Sequence, residues 1–149
     1  MGGAGTARMI RQMALLVAAV AFLGFGASAR AQSALYDDLG GKDGMAAIVG
    51  GMVDNALADD RIKAVFDNIN IPRLKGLLAQ HLCALVGGPC AYNRRSMKDT
   101  HAGLDLHDAD FNALVEDLEA SMDARNIPWA TQVKLLAILA PIEHDVVKQ

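Results

Sequence analysis

Few residues in this chain of 149 can do chemistry: four histidines (His81, His101, His107, His144) and two cysteines (Cys83, Cys90). Most enzyme motifs are missing. There is no glycine-rich phosphate loop, no His-Glu-x-x-His zinc helix and no Gly-x-Ser-x-Gly elbow. Asp37-Asp38 and Asp59-Asp60 read as helix-start charges, and Asp108-x-Asp110 lacks the glycine and final glutamate of a calcium loop. His107 stands at a helix start, as a cap or a solvated residue. His144 lies between Glu143 and Asp145, where it complements a helix dipole. His81 is the one polar member of an apolar stripe, a core or rim histidine on the plainest reading. His101 differs. It ends a short turn with Met97 one turn earlier and Ala102 and Gly103 directly after it. Small neighbours let a flat cofactor approach a ligating imidazole, although a lone histidine is more often structural.

The elements that position these groups are helical. Hydrophobic residues make up 52% of the chain but aromatics only 5%. Alanine and leucine dominate and alternating strand patterns are absent, which favours helices packed on helices. Leu35 to Leu39 reads as a helical turn stopped by Gly40-Gly41. Asp43 is placed to cap the next helix, where Met45, Ile48, Val49, Met52, Val53, Ala56 and Leu57 keep helical spacing. Gly50-Gly51 weakens that helix, and close helix crossing is the use expected of the pair. A short helix over 61–66 follows. Pro72 then fits the first turn of a helix with the stripe Leu74, Leu77, Leu78, His81, Leu82, Leu85 and Val86. Gly87-Gly88-Pro89 breaks it, and Ser96 can cap the turn carrying Met97 and His101. From Asp108 a helix turns Phe111, Leu114, Val115, Leu118 and Met122 inward and Glu116, Asp117, Glu119 and Asp123 outward. The last helix runs from Trp129 to Val147, with a kink expected at Pro141. Two antiparallel helix pairs would stack across each other and leave a gap between them.

The first 31 residues read as a targeting signal. Arg8 and Arg11 precede the apolar run from Met13 to Gly26, and Ala29-Arg30-Ala31 has the form of a cleavage site. The run is too short for a bilayer span of roughly 20 residues. A retained membrane anchor is the alternative. Residues 32–149 then form the one remaining domain, periplasmic or secreted, with 11 of the 14 cations against all 17 acids. That balance argues against a nucleic-acid partner or an anionic membrane surface. In an oxidising compartment Cys83 and Cys90 are candidates for a disulfide pinning the helix end to the loop; two buried free thiols are the alternative.

From about Leu35 to Val147 the chain resembles the truncated, two-over-two haemoglobins of group I. The matching pieces begin with Leu35-Tyr36-x-x-Leu39-Gly40-Gly41, Leu57-Ala58-Asp59-Asp60-Arg61 before Phe66, and Arg73-Leu74-Lys75. Gly87-Gly88-Pro89-x-x-Tyr92 and Met97-Lys98-x-x-His101-x-Gly103-Leu104 follow. Asp108-x-x-Phe111, Ile127-Pro128 and Leu139-Ala140-Pro141 complete the match. The resemblance implies an all-α truncated globin fold around haem b, with His101 as the iron's proximal ligand. It implies that Phe66 packs on the porphyrin and that Leu74, Leu77, Leu78, His81 and Leu82 form the distal wall. Tyr92, Met97, Leu106 and Phe111 would line the remainder, and Arg73 and Arg95 would pair with haem propionates, where a guanidinium fork fits a carboxylate.

The departures from the family pattern bear on function. Relatives usually carry a tyrosine where this chain has Val53, a glutamine at Leu78, and often a lysine or histidine at Leu77. Arg94 replaces the glycine that usually follows Tyr92-Asn93. The usual donors to bound dioxygen are missing, and each is worth roughly 1.5–3 kcal/mol. The implied function is reversible binding of a diatomic gas (O2, NO or CO) by a monomer with an unnamed redox partner. The alternatives are a haem redox enzyme (NO dioxygenase, nitrite reductase or peroxidase-like), a gas sensor, or a haem-free helical adaptor.

Overall fold

The computed structural model describes residues 34–147; the leader read over residues 1–31 lies outside the described residues. Among them every regular element is helical. Helix α1 (34–38) is a short turn. Helix α2 (Gly41–Ala58) is the longest, and a 3-10 turn (Lys63–Phe66) leads from it to α3 (Ile71–Leu85). Helix α4 (Met97–His101) is a single turn, and α5 (Asp108–Asp123) and α6 (Trp129–Leu139) follow. A second 3-10 turn (Ala140–Ile142) and α7 (Glu143–Val146) close the chain.

Local chemistry accounts for most boundaries. Asn70 caps α3, its side-chain oxygen accepting the Arg73 amide at 3.0 Å, and Pro72 sits in the first turn, where its missing N–H costs nothing. At the other end Gly87, at φ 76, takes the left-handed conformation that stops the helix. The Gly88 amide then donates to the Cys83 carbonyl at 2.8 Å and the Gly87 amide to Ala84 at 3.2 Å, the paired bonds of a Schellman stop. Ser96 caps α4 by accepting the Asp99 amide at 3.0 Å.

Four expectations change. Helix α2 opens at Gly41, so Asp43 lies inside its first turn and faces the dipole rather than capping it. The helix read over 61–66 is a 3-10 turn that starts at Lys63, because Asp59 takes the Arg61 amide at 2.9 Å and holds residues 59–61 in a turn. The last helix is not one kinked rod: Pro141 cannot donate to the ladder, and the chain passes through a 3-10 turn into α7. Asp117 is only 9% exposed rather than outward-facing.

The core gathers on α2, whose Met45, Ile48, Val49, Met52 and Val53 are buried against Leu82 of α3, Val86 at that helix's end, and Leu118 and Met122 of α5. Burying each such side chain contributes about 1.5–3 kcal/mol, so this stripe fixes how α2 meets α3 and α5. Two polar ties set the α2–α5 crossing: Ser121 donates to the Ile48 carbonyl at 2.7 Å and Asn55 to the Asp117 carbonyl at 3.0 Å. Buried Gln132 of α6 reaches back to Asp123 at 2.7 Å and to the Ile127 carbonyl at 2.9 Å. Helix α4, off this core, packs against α7.

Candidate functional site

His101 ends α4 above two abutting apolar hollows. Its Nδ1 lies 2.7 Å from the Met97 carbonyl. A carbonyl only accepts, so Nδ1 carries the proton and Nε2 keeps its lone pair. That is the tautomer in which an imidazole serves as a metal ligand, and a carbonyl behind the other nitrogen is the usual way to fix it. The local sequence produces this arrangement: Ser96 starts the turn, and one helical turn spaces His101 directly over Met97.

The first hollow, about 210 Å³, is lined by Ile62, Val65, Phe66 and Ile69 from the segment before α3 and by Leu74 and Leu78 from α3. Thr100, His101, Leu104 and Leu106 close it from the α4 side, with Asp110, Phe111, Leu114 and Val146 behind. The second, about 130 Å³, lies against Met52, Leu78, His81, Leu82, Met97 and His101. Phe111, Leu114, Val115, Leu118, Leu139, Ile142 and Val146 complete it. The two share Leu78, His101, Phe111, Leu114 and Val146, so together they make one slot between α3 and the α4–α5–α7 side.

Of the residues singled out in the sequence, Phe66, Leu74, Leu78, Leu106, Phe111 and His101 meet at the first hollow, and His81, Leu82, Met97 and His101 at the second. Leu77 is half-buried and lines neither; Arg73 and Arg95 are exposed and line neither. Tyr92 lies behind His81, with ring centroids 4.3 Å apart and planes tilted by 50°. Val53 sits in the core, fully buried. Ile62 and Ile69, on either side of the first 3-10 turn, and Val146 of α7 line the slot without having been singled out, because segments this short or irregular carry no periodic signal.

Polarity in the slot is sparse. Thr100 spends its hydroxyl on the Ser96 carbonyl at 2.8 Å, and Asp110 accepts the His107 amide at 2.8 Å, which also makes His107 the residue that starts α5. Both nitrogens of His81 are buried without a hydrogen-bond partner, and burial pushes its pKa below the ordinary histidine value. Cys83 and Cys90 are joined in a disulfide with Cα atoms 5.8 Å apart, which ties the end of α3 to the loop before α4. A larger hollow of about 510 Å³ is lined by both cysteines together with Tyr36, Lys42, Met45, Gln80 and Pro89, and holds no histidine.

The profile of the bacterial-like globins matches residues 34–148. The chain belongs to that family. Group 1 truncated hemoglobins stand among this globin's relatives. The one from Tetrahymena thermophila is 34% identical over 62% of this chain and 77% of its own. The one from Mycolicibacterium paratuberculosis is 27% identical over 76% of this chain and 84% of its own. Among solved structures, the Fe(III) form of the truncated hemoglobin from Tetrahymena pyriformis superposes with a TM-score of 0.75. It is 27% identical and covers 77% of this chain and 98% of its own. The 2/2 hemoglobin from a Synechococcus species, in the cyanomet state with covalently attached heme, gives 0.72 at 26% identity over the same shares. The fold of this globin is therefore the two-over-two arrangement of helices.

Proposed function

We propose that this globin holds haem b in the slot between α3 and α4, with His101 Nε2 as the protein's ligand to the iron, and binds a diatomic gas there reversibly. The observation that carries the reading is the Nδ1–H donated to Met97, which leaves Nε2 as a free lone pair over an apolar slot. The residues present fit the group: a flat hydrocarbon ring system meets Phe66, Leu74, Leu78, Leu82, Phe111 and Leu114, and water is excluded from its faces. Haem held there would supply an iron able to bind O2, NO or CO, with His101 Nε2 free to hold it.

The chain's own residues do the rest. Met97 fixes the tautomer and the tilt of His101. Leu74, Leu78 and Leu82 keep the opposite face dry and carry no hydrogen-bonding side chain. Arg73 and Arg95 are exposed and are the side chains we assign to the haem carboxylates.

We further propose that residues 1–31 direct export, so that the globin works in the periplasm or outside the cell as a monomer. Arg8, Arg11, the apolar run and Ala29-Arg30-Ala31 support this, as does a disulfide, which persists in an oxidising compartment. Among the described residues no helix is long and apolar enough to cross a membrane. The test of function is haem titration into purified residues 32–149. A Soret band and reversible CO binding are expected, with His101→Ala losing tight uptake. No haem uptake by the wild-type chain would refute the reading.

A further inference from the structure

We propose that His81 is the gas-facing hydrogen-bond donor of this pocket and sets which gas it prefers; the role rests on the haem-globin reading above. Three observations lead to it. The first is the accounting of polar atoms in the slot. Thr100, Asp110 and the Nδ1 of His101 are each satisfied within the protein. His81 has two buried nitrogens and no partner for either. An imidazole placed so loses its water bonds with no return, a cost that a leucine at the same place would avoid. A bound molecule with an acceptor atom restores one of those bonds.

The second observation is position. His81 lies on α3, across the hollow from His101, and shares that hollow with Leu78 and Leu82. The other α3 residues on the slot, Leu74, Leu78 and Leu82, carry no hydrogen-bonding side chain. Any donor from α3 must be His81.

The third is support. The ring packs on Tyr92 at 4.3 Å, and Tyr92 belongs to a loop held down at two further points. Cys90 is bonded to Cys83, and Gln80 donates to the Ala91 carbonyl at 2.8 Å. The imidazole is thus braced from behind while its nitrogens stay uncommitted, as a donor awaiting an exogenous acceptor would be.

The experiment compares wild type, His81→Leu, His81→Phe (which keeps a ring against Tyr92) and His81→Gln (which keeps an N–H). Readouts are the C–O stretch of the CO complex, the O2 release rate and the thermal midpoint of the haem-free protein. Both apolar variants should raise the C–O stretch and speed O2 release by about one to two powers of ten, with His81→Gln in between. The haem-free midpoint should not fall in His81→Leu, since no bond is lost. An intact Soret band with unchanged stretch and release in both apolar variants would overturn the role. So would loss of a low-spin ferric spectrum in His81→Leu, which would make His81 an iron ligand instead. A wild-type chain without haem would refute the underlying reading rather than this role alone.

Discussion

The adjacent glycines of α2 should respond oppositely to the same substitution. A Cβ on Gly50 meets nothing within 4 Å. Gly50→Ala therefore gains helix propensity alone, about 1 kcal/mol. A Cβ on Gly51 would lie 2.5 Å from Ser121 Oγ and 2.9 Å from an Arg125 nitrogen. Arg125 can swing away, but Ser121 is 2% exposed and donates across the crossing to the Ile48 carbonyl. Moving it breaks that bond and strands a buried hydroxyl and carbonyl, a cost of about 1–3 kcal/mol beyond a net bond worth about 1. Even after the propensity gain, Gly51→Ala should lose about 1–3 kcal/mol. Urea titration of haem-free residues 32–149, followed by circular dichroism, reads both. The midpoint should rise for Gly50→Ala and fall for Gly51→Ala, with thermal midpoints parting by roughly 10 °C. Equal shifts in one direction would refute the assignment of the close crossing to Gly51.

Other outcomes follow from the same geometry. Reducing the Cys83–Cys90 disulfide frees a short loop, so dithiothreitol or Cys90→Ser should lower stability by about 2–3 kcal/mol on the chain-entropy account, measured by thermal melting. Burial, ahead of the neighbouring charges of Asp59 and Glu116, pushes the Asp117 carboxyl above its ordinary value, and its Oδ2 has no partner. The folded state therefore holds that proton to higher pH than the unfolded chain, and Asp117 costs stability above its folded pKa. Asp117→Asn should stabilise by up to about 1 kcal/mol at neutral pH, with the gain shrinking as pH falls toward the unfolded value, in melts run across pH. Leu78→Gln puts an amide on both hollows and should slow O2 release by about tenfold or more in stopped-flow measurements; an unchanged rate would place residue 78 away from the gas.

Much of this was legible in the residues, for identifiable reasons. The α2 and α3 stripes keep helical spacing, so their buried faces could be read directly. Asn70, Pro72, Gly87 and Ser96 announce their boundaries through chemistry that acts within three or four residues. The failures came where distant contacts decide. Asp117 looks like a surface acid in sequence, and only the approach of α2 buries it, with Asn55 on its carbonyl. Gly50 and Gly51 are indistinguishable as letters; the position of Ser121 separates them. The slot was half legible: periodicity on α3 and α5 supplied Leu74, Leu78, Leu82 and Phe111, whereas Ile62, Ile69 and Val146 come from segments whose place is set by the tertiary fold.

The central claim is that His101, oriented by Met97, is the bond between this protein and its iron. It is tested most directly by the resonance Raman spectrum of the ferrous, gas-free protein. The account predicts an iron–histidine stretching band in the wild type that is lost in His101→Gly and returns, shifted, when imidazole is added. A band that persists in His101→Gly without imidazole would contradict it.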